Sequence, residues 1–255
     1  MGSTDNDSFV RTFARGLQVI ESLGRNKPGM NIAGLSEDTG LSRSVIKRYV
    51  LTLTELGYTS TSADGRSYAL TPKVLNLGLS YLYSLPFWRQ AQLELEELSQ
   101  QIKQSCAMSI LDGNEIVYVV RVPTYKILRA SPTLGSRLPA NVISMGRALL
   151  AELSESELNA FLENAPIKRL TNRTLTDREE LRTEILRTRE KGYAWVDAEL
   201  DEAICGLAVT VKNLEGQALA AINVSLPSGQ ITEEQAVKEY LVLLRSAASN
   251  IRSAL

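Results

Sequence analysis

Residues Ile32 to Tyr58 read IAGLSEDTGLSRSVIKRYVLTLTELGY, two short helical stretches around a tight turn. Leu35 and Thr39 give the first stretch an inward face, and Gly40 supplies the positive φ that a sharp turn needs. Leu41 packs beneath the turn, and Ser42 is a ready N-cap for the second stretch. The spacing there predicts that Ile46, Tyr49, Leu53 and Leu56 are buried. The opposite face, opening at Ser42, presents Arg43, Ser44, Lys47 and Arg48, residue types that bond to phosphates and base edges. The inward slot that usually holds Ala is Ser36, which is small enough to fit. A helix-turn-helix that enters DNA is the reading; an αα-hairpin with a solvated charged face competes with it.

The flanking segments favour the DNA reading. Tyr58-Thr59-Ser60-Thr61 and Ser67-Tyr68-Ala69-Leu70 are β-rich runs joined through Asp64-Gly65, a hairpin-turn signal. A hairpin directly after a recognition helix makes a winged helix-turn-helix, with Arg66 at its tip near a phosphate or the minor groove. Upstream, Phe9, Phe13, Leu17, Ile20 and Leu23 mark an amphipathic first helix ending near Gly24.

Composition sets bounds. The chain has 255 residues, enough for two cores, and a formal net charge of −1. No global basic field draws it onto nucleic acid, so affinity needs a local basic face, and more than one copy of it. That points to a dimeric or higher reader of a spaced site. No apolar run approaches the ~20 residues of a membrane span, and the polar MGSTDNDS start lacks a signal-peptide core. Cys106 and Cys205, the two cysteines, make no disulfide framework and fit a cytoplasmic location as small buried hydrophobes. The histidine count of zero removes Ser-His-Asp and Cys-His nucleophiles and every His-containing metal site. No phosphate-loop or dinucleotide glycine motif appears. The expectation is no catalytic residue, no cofactor and no metal.

Pro72 suits the start of a linker helix, with Val74, Leu75, Leu77, Leu79, Tyr81 and Leu82 running to Ser84-Leu85-Pro86. A helix from Phe87 to Gln104 follows, with Ala91, Leu95, Leu98 and Ile102 on one face. The period then changes to two: Ala107–Leu111, Glu115–Val122 and Lys126–Ser131 read as strands. A loop from Thr133 to Pro139 leads into a helix from Asn141 to Leu153. Ser154 with Glu157, Thr176 with Glu179 and Thr232 with Gln235 open three more helices, the last reaching Leu255. Strands are expected at Tyr193–Asp197, Leu207–Asn213 and Ala218–Ser225. The fold class is α+β, with boundaries at 9–71 for the winged helix, 72–85 for the linker helix and 86–255 for the second domain.

The stretches ARGLQVIESLG, GLSRSVIKRYVLTLTELGY, YALTPKVLNLGLSYL and SMGRALLAELSESEL resemble the IclR (isocitrate lyase regulator) family of bacterial transcription factors. LDGNEIVYVVRVP and LGSRLPANVISMGRALLA look closest to its protocatechuate, 4-hydroxybenzoate and β-ketoadipate subgroup. The resemblance implies a C-terminal effector domain with a GAF/profilin-like curved antiparallel sheet flanked by helices. It implies double-stranded promoter DNA, a small organic acid effector and a homodimer or tetramer as partners, with RNA polymerase added for an activator. Carried over residue by residue, the effector pocket would have apolar walls at Ile127, Leu138 and Ile204. Its polar contacts would be Ser144, Met145 through the backbone, Gly206, Asn223 and Ser225. Arg129 and Arg147 are candidate counter-charges, Arg147 fitting a surface or interface position better. The chain departs from the subgroup at Glu202-Ala203-Ile204-Cys205-Gly206, and a usual acidic position falls at or beside Val196, next to Asp197. The alternative function is an enzyme acting on a small aromatic or keto acid, fused to a winged helix.

Overall fold

The first helix, α1 (Arg11–Arg25), turns Val19, Ser22 and Leu23 inward. Ser22 holds its place because its hydroxyl donates to Asp38 at 2.5 Å. This shifts the buried stripe away from the one expected: Phe9, Phe13 and Leu17 are 63%, 68% and 42% exposed. The structure, a computed structural model, describes residues 9–25, 29–124 and 132–253.

A two-residue strand, β1 (Met30–Asn31), too short to read from sequence, pairs with the wing, Met30 opposite Tyr68. Asn31 then caps α2 (Ile32–Thr39), accepting from the Gly34 N–H at 2.8 Å. Gly40 takes φ +69° as expected, and the Ser36 hydroxyl donates across the turn to the Leu41 carbonyl at 2.6 Å. The residue in the usual alanine slot thereby ties the two helices together. Helix α3 (Arg43–Glu55) buries Ile46, Val50 and Leu53. Val50 replaces two expected positions: Tyr49 is only half-buried, and Leu56 lies beyond the last turn, 53% exposed. Ser42 occupies the cap position but its side chain does not cap; the hydroxyl faces that of Ser44 at 3.1 Å. The wing follows as β2 (Thr59–Thr61) and β3 (Ser67–Leu70), with Thr61 opposite Tyr68. Gly65 has φ +70°, and the Asp64 carboxylate accepts from the Arg66 N–H at 3.1 Å. One core joins these elements: Val19, Leu23, Leu35, Ile46, Val50, Leu53 and Tyr68. A 3-10 turn over Pro72–Val74 leads into α4 (Leu75–Ser84).

The Cα packing divides the chain into two units, residues 1–82 and 83–255. In the second, α5 (Trp88–Ile102) buries Ala91, Leu95 and Leu98, with Ile102 half-buried at its end. Strands β4 (Ser105–Asp112), β5 (Glu115–Val122), β6 (Arg137–Pro139), β7 (Ala194–Asp197), β8 (Ile204–Lys212) and β9 (Ala218–Pro227) form one antiparallel sheet. Their order is β6-β5-β4-β9-β8-β7. Bulges between Met108 and Ser109 and between Val211 and Lys212 interrupt the register and bend the strands. One face, lined by Ala107, Tyr118, Ala194, Ala208 and Ala221, packs beneath α6 (Ser144–Leu150) together with Met145, Ala148 and Leu149. Alternate residues, among them Met108, Leu207, Val209, Ile222 and Val224, are buried on the face approached by α5 and α10 (Val242–Arg252).

Three local expectations change. Residues 137–139 are a strand rather than loop, pairing with β5 at Ile116 opposite Leu138. The expected helix 141–153 is a 3-10 turn over Ala140–Val142, an extended Ile143 (φ −137°) and then α6. The break lets the helix fold back so tightly that a Cβ on Gly146 would lie 2.2 Å from the Ala140 carbonyl oxygen. Helix α8 (Arg178–Lys191) is capped by Asp177, which accepts from the N–H groups of Glu179 and Glu180, and not by Thr176, which accepts from Arg169. The capping boxes of Ser154 with Glu157, opening α7 (Glu155–Asn164), and Thr232 with Gln235, opening α9 (Glu233–Ala236), form as read. A π-helical turn, Val237–Leu241, joins α9 to α10. The strand expected at Lys126–Ser131, with Ile127 and Arg129, lies outside the described residues. Among those residues no helix is long and apolar enough to cross a membrane.

Candidate functional site

Two surfaces concentrate the chemistry, one in each unit. In the first, Ser42, Arg43, Ser44, Lys47 and Arg48 are all exposed on α3 and its entry, and Arg66 is exposed at the wing. No ion pair among the described residues engages the four cations, so their donors face solvent. Arg48 also borders a groove against α1 with Arg15, Tyr49 and Thr52. The charge behind this face is local: residues 9–82 hold nine Lys or Arg against five Asp or Glu, and residues 83–255 hold 19 against 22.

In the second unit a cavity of about 230 Å³ opens between the sheet and the start of α6. It brings together Leu138, Ser144, Ile204, Gly206, Asn223 and Ser225. Met145 is instead wholly buried in the core under α6, so its side chain is not in the wall. The register explains the convergence. Ser225 opposes Gly206 on β8, and Asn223 opposes both Ala208 on β8 and Ala107 on β4, so all share a face. Gly206 lets Ser144 approach: a Cβ there would fall 2.7 Å from the Ser144 Oγ and push the hydroxyl aside.

The polar atoms of this cavity are incompletely paired. Asn223 Nδ2 donates to the Ser225 hydroxyl at 3.2 Å, leaving Asn223 Oδ1 buried and without a partner. Ser144 Oγ is likewise buried and unpartnered, with its residue 1% exposed. Orphaned polar atoms cost of order 1–3 kcal/mol each, and they are explained when a ligand or water completes them.

Arg121 and Tyr118, absent from the sequence-derived list, also line the cavity. Three residues apart, they would face opposite sides of a regular strand. The bulge opposite Met108 and Ser109 changes this: Arg121 opposes Ala107 and Tyr118 opposes Ser109, both on the cavity face. Arg121 has a buried, unpartnered Nε, and burial pulls its pKa below the ordinary value, with no carboxylate among the described residues to compensate. Burial pushes the Tyr118 phenol up to about 12.

Arg147 is not a surface residue. It is 1% exposed and forms a two-pronged pair with Glu199 at 2.7 and 2.8 Å, with a further bond to the Asn141 carbonyl. Glu199 reaches inward because Ala198 adopts φ +58°, a left-handed conformation held by Thr171, whose hydroxyl donates to the Ala198 carbonyl at 2.6 Å. Glu199 and Asp201 thus make the acidic side of the cavity, while Asp197 turns away to Arg173 and Ser228. Val196 itself is an apolar wall residue. The buried thiols of Cys106 and Cys205 are each pushed up to about 12 by desolvation, which keeps them protonated at neutral pH.

A winged helix with a free basic helix, joined to a domain that encloses a small partly polar cavity, defines a ligand-sensing DNA-binding protein. The profile of the IclR helix-turn-helix domain matches residues 12–62, and that of the bacterial transcriptional regulator IclR C-terminal domain matches residues 79–253. The chain belongs to the IclR family of transcriptional regulators. It is similar to the Pca regulon regulatory protein of Pseudomonas putida, with 37% identity over 97% of this chain and 85% of that one. The p-hydroxybenzoate hydroxylase transcriptional activator of Acinetobacter baylyi is 32% identical over 97% of this chain and 92% of that one. In fold it matches an IclR homolog from Microbacterium hydrocarbonoxydans solved with 4-hydroxybenzoate, at TM-score 0.84 and 23% identity, covering 96% of this chain and 98% of the other. The matched relatives are named as regulators of transcription, which sets aside the enzyme alternative.

Proposed function

We propose that this regulator binds promoter DNA as a dimer or tetramer, and that a small organic acid, aromatic or keto, in the cavity of residues 86–255 controls that binding or activation. The observation that carries the reading is the pair of buried, unpartnered polar atoms, Ser144 Oγ and Asn223 Oδ1, in the wall of a partly polar cavity. The effector contacts are Leu138, Ser144, Ile204, Gly206, Asn223 and Ser225, with the Met145 backbone and Ile127 completing the set. Contacts to DNA come from Ser42, Arg43, Ser44, Lys47 and Arg48 in the major groove and from Arg66 on the wing. The winged helix spans 9–71 and the linker helix 72–85. The protein works in the cytoplasm, and RNA polymerase is a further partner where the protein activates. The names of the aromatic-pathway relatives support the class of effector.

A thermal-shift screen with benzoate, 4-hydroxybenzoate, protocatechuate and pyruvate tests the reading. A ligand at 100 times its Kd adds about 2.7 kcal/mol to the stability of the native state and raises Tm. If every acid left Tm unchanged while promoter binding was intact, the effector assignment would be wrong.

A further inference from the structure

We propose that the cavity is polarised, with Arg121 seating the anionic end of the effector and the Ser144–Asn223–Ser225 cluster holding a hydroxyl at the other end. The inference rests on the proposal that the cavity binds an organic acid, and it names which one: a hydroxy-monocarboxylic acid with an apolar body.

The argument begins from the sheet order. Arg121 on β5 and Asn223 on β9 stand in one cross-strand row, with Ala107 of β4 paired to both. Two inter-strand steps of ~4.8 Å separate their backbones, and the row crosses the face on which the cavity lies. Ser144 sits over Gly206 on β8, next to Ser225, and therefore at the Asn223 end. Leu138 on β6, Val142, Val196 on β7 and Ile204 on β8 supply apolar wall around this row.

Each end offers one kind of chemistry. Arg121 is a cation whose Nε is buried and unpartnered, and no carboxylate pairs with it among the described residues. A carboxylate is the group that matches a guanidinium fork in such a place. At the far end Ser144 Oγ can donate, and Asn223 Oδ1 has nothing donating to it. A hydroxyl satisfies both, accepting from Ser144 and donating to Asn223. A second carboxylate fits badly there, because it cannot donate to Asn223.

The test is isothermal titration of the full chain with four probes: 4-hydroxybenzoate, its uncharged amide 4-hydroxybenzamide, benzoate and terephthalate. The expected result is that 4-hydroxybenzoate binds at least tenfold tighter than each of the others. Arg121→Gln should erase the preference for acid over amide and leave the preference for the hydroxyl. Asn223→Leu should do the reverse. Arg121→Met should bind no acid yet melt, without ligand, at or above the wild-type temperature, because it removes a half-buried guanidinium whose Nε is buried and unpartnered; a merely structural arginine would lower it. Arg121→Lys keeps the charge and should keep the preference for acid over amide. Binding of acid and amide with the wild-type preference by Arg121→Gln, or by Arg121→Met where Arg121→Gln does not fold, overturns the inference while leaving the acid-binding cavity standing. Failure of wild type to bind any probe, or any acid in the thermal screen, removes the cavity reading and this inference with it.

Discussion

Gly146 and Arg147 are neighbours in one turn of α6, and each is fixed by something a helix rule does not contain. Propensity favours Ala over Gly inside a helix by about 1 kcal/mol. At Gly146, however, the added Cβ would meet the Ala140 backbone at 2.2–2.7 Å, and backbone cannot rotate aside. Gly146→Ala should therefore destabilise by about 3 kcal/mol, the upper range for overpacking, as read from the urea midpoint of the effector-domain transition. A neutral or stabilising result would mean the turn at Ile143 relaxes freely. Arg147→Met leaves Glu199 buried without its partner and should cost about 3–5 kcal/mol; adding Glu199→Leu should recover at least half of that loss. Non-recovery would show that Glu199 is held by Leu175 and the strained Ala198 turn rather than by the arginine. The sequence carried no sign of this pair: the two residues are 52 apart, and Arg147 falls in a segment that reads as an ordinary exposed helix turn. Arg121 was hidden for another reason. A period of two puts it and Tyr118 on opposite faces, and only the bulge in β5 brings them to the same one. Ser144, Gly206, Asn223 and Ser225 were named through the family resemblance, and the structure brings them to one cavity, Asn223 and Ser225 two apart on one strand and Ser144 at a helix start.

Elements with a strong internal signal were read nearly as they stand, and those decided by a partner were not. Both hydroxyl capping boxes, the Gly40 turn and the wing need nothing beyond local chemistry. The face of α1 depends on α2, because the hydrogen bond from Ser22 to Asp38 draws a polar residue inward and leaves Phe13 outside. That contact makes a pH prediction. Asp38 titrates below its ordinary value of 3.8, first because the Ser22 hydroxyl bonds the carboxylate and then because of Arg25. A depressed carboxylate pKa stabilises the fold above the unfolded value, and the contribution fades as pH falls through the folded one. The gap between wild type and Asp38→Asn should be full above about pH 4 and close below it, as followed by urea midpoints across pH 2–6. A gap that persisted unchanged at pH 2 would assign the effect to something other than charge. On α3 the exposed cations make a second prediction. Lys47→Ala should weaken binding to all duplexes about equally and lower the salt slope by about 1. Arg48→Ala should cost about 1–3 kcal/mol and relax preference at one base. Competition gel shifts against operator variants separate the two, and indifference to Arg48→Ala would remove it from the base-reading set.

For the whole molecule, the net charge of −1 conceals a division of labour: the first 82 residues hold the surplus of cations and the rest the surplus of anions. A nucleic acid approaching the effector domain meets a mildly repulsive surface, so affinity comes from a few cations on α3 and the wing. One such face contacts too few phosphates to hold a site against ~0.15 M salt. Two faces bound together make the second contact intramolecular, and tight binding follows from effective concentration rather than from new contacts. Half-site geometry is then decisive, because recognition helices in a dimer read grooves one turn, ~34 Å, apart or a multiple of it. Adding five base pairs between the half-sites of a footprinted operator should drop affinity to that of a lone half-site. Adding ten should restore part of it by returning both grooves to one side of the duplex. The slope of log K against log[salt] should be about twice as steep on the intact palindrome as on the half-site. Affinity and slope indifferent to spacing would mean that a single winged helix does the reading, and that the neutral balance of the chain sets no requirement for a second copy.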